Sequence, residues 1–254
     1  MKIQDLASVA GSLDWGGRSP WQRVVVAALV TVAFTALARW VRGVSRTGAV
    51  AGAVVCFLLY LGAGPGAFLA LVSVFALTWI TTHLGYQQKQ KLGTAEKEEG
   101  RTASQVLANL GVAAVCAGVY AVGARPALLL AIAAALSEAA ADTVSSELGQ
   151  ATSQKAWLIT TWEEVAAGTD GGVSVAGTLA GVAAAAVVSA VCALSGLVLW
   201  SRFGITLTAA IVGMFADSFL GAWLERRQVL NNDAVNFLGT LVAAAGAVAM
   251  QFLA

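Results

Sequence analysis

Charged residues are scarce in this chain of 254 residues: Asp, Glu, Lys and Arg make up 11% of it, whereas hydrophobic residues make up 58%. A water-soluble globule needs more polar surface than this, and the mean hydropathy of +0.77 agrees. The composition therefore excludes a soluble globular fold and indicates an integral membrane protein. The net charge of +1 gives no sign of a nucleic-acid partner, and none is expected.

Histidine and cysteine, the usual ligands of soft and borderline metals, are also rare. The three cysteines, Cys56, Cys116 and Cys192, lie in apolar segments without ligand spacing, so neither a disulfide framework nor a zinc site is expected. The one histidine, His83, lies where an apolar segment meets a polar loop. Such a position is more typical of a solvated helix end than of a catalyst.

The apolar residues form runs long enough to cross a bilayer. A crossing helix needs about 20 mostly apolar residues, because lipid offers backbone polar groups no partners. We predict an all-α, polytopic transmembrane bundle of about eight spans. The second and third are short and flank the Gly/Ala-rich segment 62–66, so a re-entrant pair is the alternative for them. The predicted spans are 22–42, 47–62, 65–82, 104–122, 126–144, 173–200, 203–222 and 236–253.

Basic residues are distributed unevenly between the two sides of these spans. Ten of the fifteen fall on one side, which the retention of basic residues during insertion assigns to the cytoplasm. We therefore expect an extracytoplasmic N-terminal segment, 1–21, with no cleavable signal peptide because it lacks an apolar core. Residues 22–254 are expected to form one transmembrane domain of a bacterial inner membrane, with its active site facing the cytoplasm.

Arg101, Gln105 and Asn109 recur every four residues at the start of the fourth span, which places them on one helix face. The planar guanidinium of Arg101 suits phosphate. For Gln105 and Asn109, hydrogen bonding between helices is an equally good interpretation.

Glu138 and Asp142 end the fifth span four residues apart, and Ser145, Ser146 and Gly149 continue near that face. A charged group in hydrocarbon costs at least about 2.5–3.5 kcal/mol on insertion scales, so these carboxylates indicate function, with a metal or basic partner. A structural salt bridge is the alternative.

The sixth span opens with Asp170, Gly171, Gly172 and, two residues later, Ser174. Adjacent glycines before a helix let the backbone approach a ligand closely, and the helix start presents N–H groups suited to phosphate. A magnesium ion could bridge Asp170 and such a phosphate. Asp-Gly-Gly is also an ordinary turn.

The C-terminal half contains an apparent repeat. Residues 141–143 match 216–218 at the end of one span, and residues 173–179 match 235–241 at the start of the next. The order and orientation agree, which predicts an internal parallel repeat about an axis along the membrane normal. Chance similarity of short apolar strings is the alternative.

Such a repeat would gather carboxylates and amide oxygens around one cytoplasmic-edge cavity, and these hard ligands suit Mg²⁺. The predicted catalytic residues are Asp142, Asp170 and Asp217. The predicted metal ligands are Asp142, Glu147, Asp170, Asp217 and Asp233. The predicted phosphate- or nucleotide-binding residues are Arg101, Gln105, Asn109, Ser146, Lys155, Gly171, Gly172, Ser174, Asn232 and Asn236.

Four motifs together resemble one integral membrane family. They are GRTASQVLAN (100–109), SEAAADTVSSELG (137–149), TDGGVSVAGTLAG (169–181) and GMFADSFLGAWLERR (213–227) with NNDAVNFLGTL (231–241). The family includes chloroplast phytyl-phosphate kinase and is distantly related to membrane cytidylyltransferases and to phytol and dolichol kinases. That wider group has Lys-x-x-Glu-Gly-Ser-x-x-Gly where this chain has 169–177, without the lysine and with the acid displaced.

The resemblance implies phosphoryl transfer from a nucleoside triphosphate, CTP or ATP, to an isoprenyl or other lipid monophosphate, giving the diphosphate. It implies that Asp142, Asp170 and Asp217 hold Mg²⁺ and that Arg101 and Lys155 contact phosphates. Two alternatives are open. A lipid nucleotidyltransferase would use the same metal and release pyrophosphate, and an ion-coupled transporter would also explain the repeat and the buried carboxylates.

Overall fold

The computed structural model of the protein describes residues 19–252. The predicted extracytoplasmic segment lies outside these residues except for its last three. In the described part, seven helices are long and apolar enough to cross a membrane, which confirms a polytopic helical fold. They are α1 (Pro20–Trp40), α2 (Arg46–His83), α4 (Ala103–Gly123), α5 (Ala127–Thr152), α6 (Val175–Leu194), α7 (Phe203–Leu220) and α8 (Asn232–Met250); α3 (Tyr86–Leu92) is short.

Helix α2 contains both the second and the third predicted spans, which accounts for seven helices where eight spans were expected. Gly64 breaks it with a φ of +81° and a ψ of −171°. Trp79, near its end, donates from Nε1 to the carbonyl of Val41, just before its start, at 3.1 Å. The two arms therefore run antiparallel, and each is about 27 Å long at 1.5 Å per residue.

The break at Gly64 lies at the end of the bundle opposite the polar loops. A Cβ at Gly66 would lie 3.0 Å from Oγ of Ser195, which follows α6, and one at Gly62 would lie 2.7 Å from the carbonyl carbon of Ala117 in α4. Both arms thus run between the two ends of the bundle, as a crossing pair does. We call the end that carries loops 41–45, 84–102, 153–174 and 226–231 the polar end.

Other boundaries also differ from the sequence prediction. Helix α5 continues to Thr152 rather than ending at 144, so the whole of motif 137–149 is helical. Helix α6 ends at Leu194 rather than 200, and a turn at Gly196, with φ of +77°, leads to a 3₁₀ helix at Trp200–Arg202. Helix α7 is extended by a π-helix at Gly221–Glu225.

Helix α5 is the central helix and the most deeply buried of the seven. Its small, alanine-rich faces pack against α2, α4, α6, α7 and α8. Close approach to α6 depends on glycine: a Cβ at Gly177 would lie 2.5 Å from the carbonyl oxygen of Ser145, and one at Gly181 would lie 2.7 Å from that of Ala141. Small residues at helix interfaces are the usual means of such packing in membranes.

The loop between α5 and α6 forms a small antiparallel sheet, which the all-helical prediction did not include. Strand β1 (Lys155–Leu158) lies between β2 (Glu164–Ala166) and β3 (Gly172–Val173). Lys155 pairs with Ala166, and Leu158 pairs with Gly172. The sheet holds the segment 168–174 over the polar ends of the helices.

The predicted parallel repeat stays a prediction. Asp142 and Asp217 do lie near the polar ends of α5 and α7, but the connections that follow differ in kind. A three-stranded sheet follows α5, whereas a π-helix and a short loop follow α7.

We expect Gly64→Ala to lower the melting temperature of the detergent-purified protein. The backbone at Gly64 lies in a region that other residues occupy only with strain of about 1–3 kcal/mol. Gly204→Ala is the control, since a Cβ there meets no atom within 4 Å and φ is not positive. Equal melting temperatures for wild type and Gly64→Ala would contradict a positive-φ backbone break at Gly64.

Candidate active site

A polar cavity of about 320 Å³ opens at the polar end, between α4, α5, α7, α8 and the loop that follows β2. It brings together all the predicted site residues except two, Lys155 and Asp233. The predicted residues that line it are Arg101, Gln105, Asn109, Asp142, Ser146, Glu147, Asp170, Gly171, Gly172, Ser174, Asp217, Asn232 and Asn236.

Asp142 of α5 and Asp217 of α7 form the floor of the cavity, close enough for their carboxyl groups to share a hydrogen bond. Two carboxylates within hydrogen-bond reach of each other repel unless a proton or a cation lies between them. Helix α8 can lie against both α5 and α7 because it has glycine here: a Cβ at Gly239 would lie 2.6 Å from Oε1 of Glu138 and 3.2 Å from Cβ of Asp217.

Glu138 lies one turn below Asp142 and is 1% exposed. Neither of its carboxylate oxygens has a hydrogen-bond partner among the described residues. A Cβ at Gly213 would lie 2.7 Å from its Cγ, and one at Gly239 would lie 2.6 Å from its Oε1. Because a buried carboxylate without a partner is unfavourable, Glu138 requires a proton or a cation.

An amide network joins α4 and α8 to Asp217. The side chain of Asn236, oriented so that its nitrogen faces acceptors, donates to Oδ2 of Asp217 at 3.3 Å and to the carbonyl of Asn232 at 3.2 Å. Its oxygen accepts from Nδ2 of Asn109 at 3.2 Å. Nδ2 of Asn109 also donates to the carbonyl of Gln105 at 2.9 Å. The network orients the Asp217 carboxylate.

Asp170 reaches the cavity from the loop before β3. Gly171 beside it has a φ of +73°, and a Cβ there would lie 2.5 Å from the backbone nitrogen of Ala222. Glycine therefore lets the loop contact the π-helix directly. Burial raises the pKa of Asp170 above its ordinary value, and the guanidinium of Arg226 opposes the rise by favouring the anion.

Arg101 is held by its backbone. Its N–H donates to the carbonyl of Gly43 at 3.2 Å, and its carbonyl accepts from the N–H of Ser45 at 2.9 Å. Within residues 19–252 its guanidinium makes no hydrogen bond, although it interacts electrostatically with Asp142. The backbone of Arg101 is thus fixed at the rim of the cavity, and the donors of its guanidinium are available.

Several predicted phosphate ligands have internal partners. Gln105 forms a capping box with Thr102 and donates from Nε2 to Oε2 of Glu96 at 3.0 Å. Ser174 caps α6 by accepting from the N–H of Gly177 at 3.1 Å. Hydrogen bonding within the protein therefore accounts for the amide side chains of both Gln105 and Asn109 without a phosphate ligand.

Glu147, predicted as a metal ligand, also has both oxygens engaged. Oε1 accepts from Thr82 at 3.0 Å, and Oε2 accepts from the ammonium of Lys89, which is 1% exposed. Lys89 also donates to the carbonyls of Thr81 and Thr82. This buried pair attaches α3 to α2 and α5.

Lys155 and Asp233 are the two predicted residues that do not line the cavity. Lys155 is 66% exposed and pairs with Glu164 of β2 at 2.6 Å. Asp233 lies in the first turn of α8, near enough to Glu225 for electrostatic interaction.

Glu225 is the main lining residue that sequence reasoning missed. It interacts electrostatically with Asp170 and Asp142 as well as Asp233, and so extends the acidic wall. The sequence pattern that could have predicted this position is the four-residue spacing of Asp217, Gly221 and Glu225, which places them near one helix face. Other lining residues without an assigned role are Thr94, Glu96, Thr143, Gln150 and Ser218.

The carboxylates do not form a closed metal cage. Within the described part of the chain, no three His, Cys, Asp or Glu side chains converge as a metal-binding group. The two acids whose side chains come within hydrogen-bond reach of each other are Asp142 and Asp217. Such a pair suits an ion that completes its coordination with water or ligand oxygens, as Mg²⁺ commonly does.

The chain matches a family model described as "Integral membrane protein DUF92" over residues 29–244. It belongs to this family. An uncharacterised membrane protein of Methanocaldococcus jannaschii is 32% identical over 87% of this chain and 91% of its own length. An uncharacterised membrane protein of Synechocystis is 31% identical over 78% and 79%.

A plant relative also matches. The chloroplast protein VTE6 of Arabidopsis thaliana is 29% identical over 83% of this chain and 66% of its own length. The family resemblance drawn from the four motifs is thereby confirmed. No solved structure matches the chain.

We expect Lys89→Met to destabilise this family member strongly, because it leaves the largely buried carboxylate of Glu147 without its cation. Removing one member of a buried pair costs about 3–5 kcal/mol. Lys155→Met is the matched control, since it breaks an exposed Lys–Glu pair worth about 0–1 kcal/mol. Denaturation of both variants in detergent measures the difference, and similar losses of stability would contradict the buried pair.

Proposed function

We propose that the protein catalyses Mg²⁺-dependent transfer of a phosphoryl group from a nucleoside triphosphate, CTP or ATP, to an isoprenyl monophosphate. The product is the isoprenyl diphosphate. The observation that carries the proposal is the convergence of Asp142, Asp217 and Asp170 with the available guanidinium of Arg101 in one cavity. The resemblance of the motifs to the family that includes phytyl-phosphate kinase supplies the substrate class.

Phosphoryl transfer asks little covalent chemistry of a protein. It needs cations that align the phosphates and neutralise the charge that develops between the reacting oxygens. Magnesium bound at Asp142 and Asp217 would supply most of that neutralisation and would bring phosphate oxygens into its coordination shell. The hydrogen bond from Asn236 would hold the Asp217 carboxylate in place for that ion.

The remaining residues have positioning roles. Arg101 contacts the acceptor phosphate from the rim, and the backbone of Gly171 and Gly172 lets the triphosphate approach Asp170 closely. An oxygen of the acceptor phosphate attacks the γ-phosphorus, a P–O bond forms, and the bond to the β-phosphate oxygen breaks. The nucleoside diphosphate leaves with that oxygen. No general base is required, because the attacking phosphate is already anionic.

The orientation follows from charge. The ten basic residues assigned to one side by the sequence all lie at or near the polar end, and Arg23, Arg125 and Arg202 lie towards the other. We therefore infer that the cavity faces the cytoplasm, where nucleoside triphosphates are available.

Transport is the less favoured function. A transporter needs access to its site from both sides of the membrane. Below Glu138, α5 carries an unbroken buried apolar stretch, Leu129–Leu136, and the nearby Ser137 is hydrogen-bonded to Ser189 at 3.0 Å. The polar groups thus lie at one end of this central helix.

Incubation of detergent-purified protein with Mg²⁺, γ-labelled CTP or ATP, and phytyl, geranylgeranyl or farnesyl monophosphate tests the proposal. We expect labelled lipid diphosphate from wild type. Asp217→Asn should lose at least about 100-fold of the rate, because it weakens the hold on the cation that neutralises the developing charge, and losing one such electrostatic stabiliser typically costs a factor of 10²–10³. Chelation by EDTA should abolish the reaction.

Glu163→Gln is the control, since this exposed acid lies in the β1–β2 turn and does not line the cavity. It should retain wild-type activity. If the lipid stays unlabelled and pyrophosphate is released, the activity is nucleotidyl transfer and not phosphoryl transfer. If folded wild-type protein gives neither product, both enzyme classes are rejected.

A further inference from the structure

A second cavity, of about 330 Å³, lies inside the polar half of the bundle. It is bounded by α1, both arms of α2, α4 and the loop that ends at Arg101. Its lining is mainly apolar, in contrast to the first cavity. Large apolar side chains that line it include Phe34, Leu71, Val74, Phe75, Trp79 and Val106.

The two cavities share a wall. Five residues line both: Glu96, Arg101, Gln105, Asn109 and Thr143. An apolar compartment therefore ends where the acidic cavity begins. The junction carries the cation of Arg101 and one carboxylate, Glu96, which accepts from Nε2 of Gln105.

The position of Arg101 at this junction is fixed by its backbone bonds to Gly43 and Ser45. The same segment lines the apolar cavity, since Gly43 and Val44 are part of its wall. A guanidinium with free donors binds a phosphate well. The junction thus offers an anion contact at one end of an apolar compartment.

We propose that the apolar cavity holds the hydrocarbon chain of the lipid phosphate acceptor, with its phosphate at Arg101 and directed into the polar cavity. The identification of this lipid as the acceptor rests on the proposed phosphoryl transfer, whereas its binding mode rests on the two cavities. The lipid is a single-chain, isoprenyl-type monophosphate. A volume near the lower end of the usual range for ligand cavities, about 300–1,000 Å³, favours one chain over the two of a phospholipid.

The chain can enter from the bilayer beside α1. This helix is the least buried of the seven and packs mainly against α2. Phe34 is its main anchor, with ring centroids 5.4 Å from those of both Phe68 and Phe75. The outer wall of the cavity is thus a lipid-facing helix, anchored beside the cavity by this aromatic cluster.

Gly52 offers a direct test. It lines the apolar cavity, and a Cβ at this position meets no atom within 4 Å. Gly52→Leu should therefore fill the cavity without displacing the packing. Gly204→Leu is the matched control, since this glycine also has open space and lines neither cavity. Thr35→Phe, which fills the cavity from α1, is a second variant should Gly52→Leu not fold.

The experiment measures equilibrium binding of labelled geranylgeranyl monophosphate to detergent-purified protein without nucleotide. We expect Gly52→Leu and Thr35→Phe to weaken binding at least tenfold and Gly204→Leu to leave it unchanged. Arg101→Gln should weaken binding of the monophosphate but not of geranylgeraniol. Wild-type affinity in both cavity-filling variants would overturn the inference, as would no binding to wild type or equal displacement by dioleoyl phosphatidic acid.

The transfer assay separates this inference from the proposed function. Loss of binding in the cavity-filling variants, with no phosphoryl transfer by wild type, would support the lipid site and reject the kinase. Transfer by wild type with an unchanged KM for geranylgeranyl monophosphate in Gly52→Leu would support the kinase and overturn the lipid site.

Discussion

The pairing of Asp142 on α5 with Asp217 on α7 constrains the rest of the polar end. Carboxylates at the edge of a hydrocarbon-packed bundle are tolerated only when nearby groups compensate them. Helix α8 therefore brings Asn236 to Asp217, and Arg101 approaches Asp142 from the α4 side. The glycines and alanines that pack α5, α7 and α8 closely serve this requirement, because larger residues would separate the two acids.

The acidic pair and Asp170 are held in place by different parts of the structure. The helices below it are packed through small residues, whereas Asp170 is carried by a loop whose place depends on the three-stranded sheet and on contact with Ala222. The acidic floor is thus fixed by the bundle, and one wall is fixed by a separate small structure. Such a division would suit the proposed transfer, in which a large triphosphate enters from water while the lipid-side geometry stays constant.

Helical periodicity explains why much of the site could be predicted. Gln105 and Asn109 line the same cavity because residues four apart share a face of α4. Arg101 was predicted on that helix face, but it lies before the start of α4 and reaches the cavity from a bridge to Val44. Lys155 was predicted to contact phosphate, but its segment is a strand, in which neighbouring residues point to opposite faces. The lysine faces solvent and pairs with Glu164. The bond of Glu147 to Lys89 joins residues far apart in sequence, and no local pattern reveals such a pair.

The π-helix at Gly221–Glu225 determines which way Glu225 faces. The N–H of Arg226 bonds to the carbonyl five residues back, at Gly221, so this turn holds one residue more than an α-helical turn. In a regular α-helix each residue turns the chain by about 100°, so the step from Asp217 to Glu225 would leave Glu225 roughly 80° away from Asp217 around the axis. The wider turn takes up the extra residue and brings Glu225 back to the face that lines the cavity. Straightening of this segment into a regular α-helix would therefore open the acidic wall even with every acid retained.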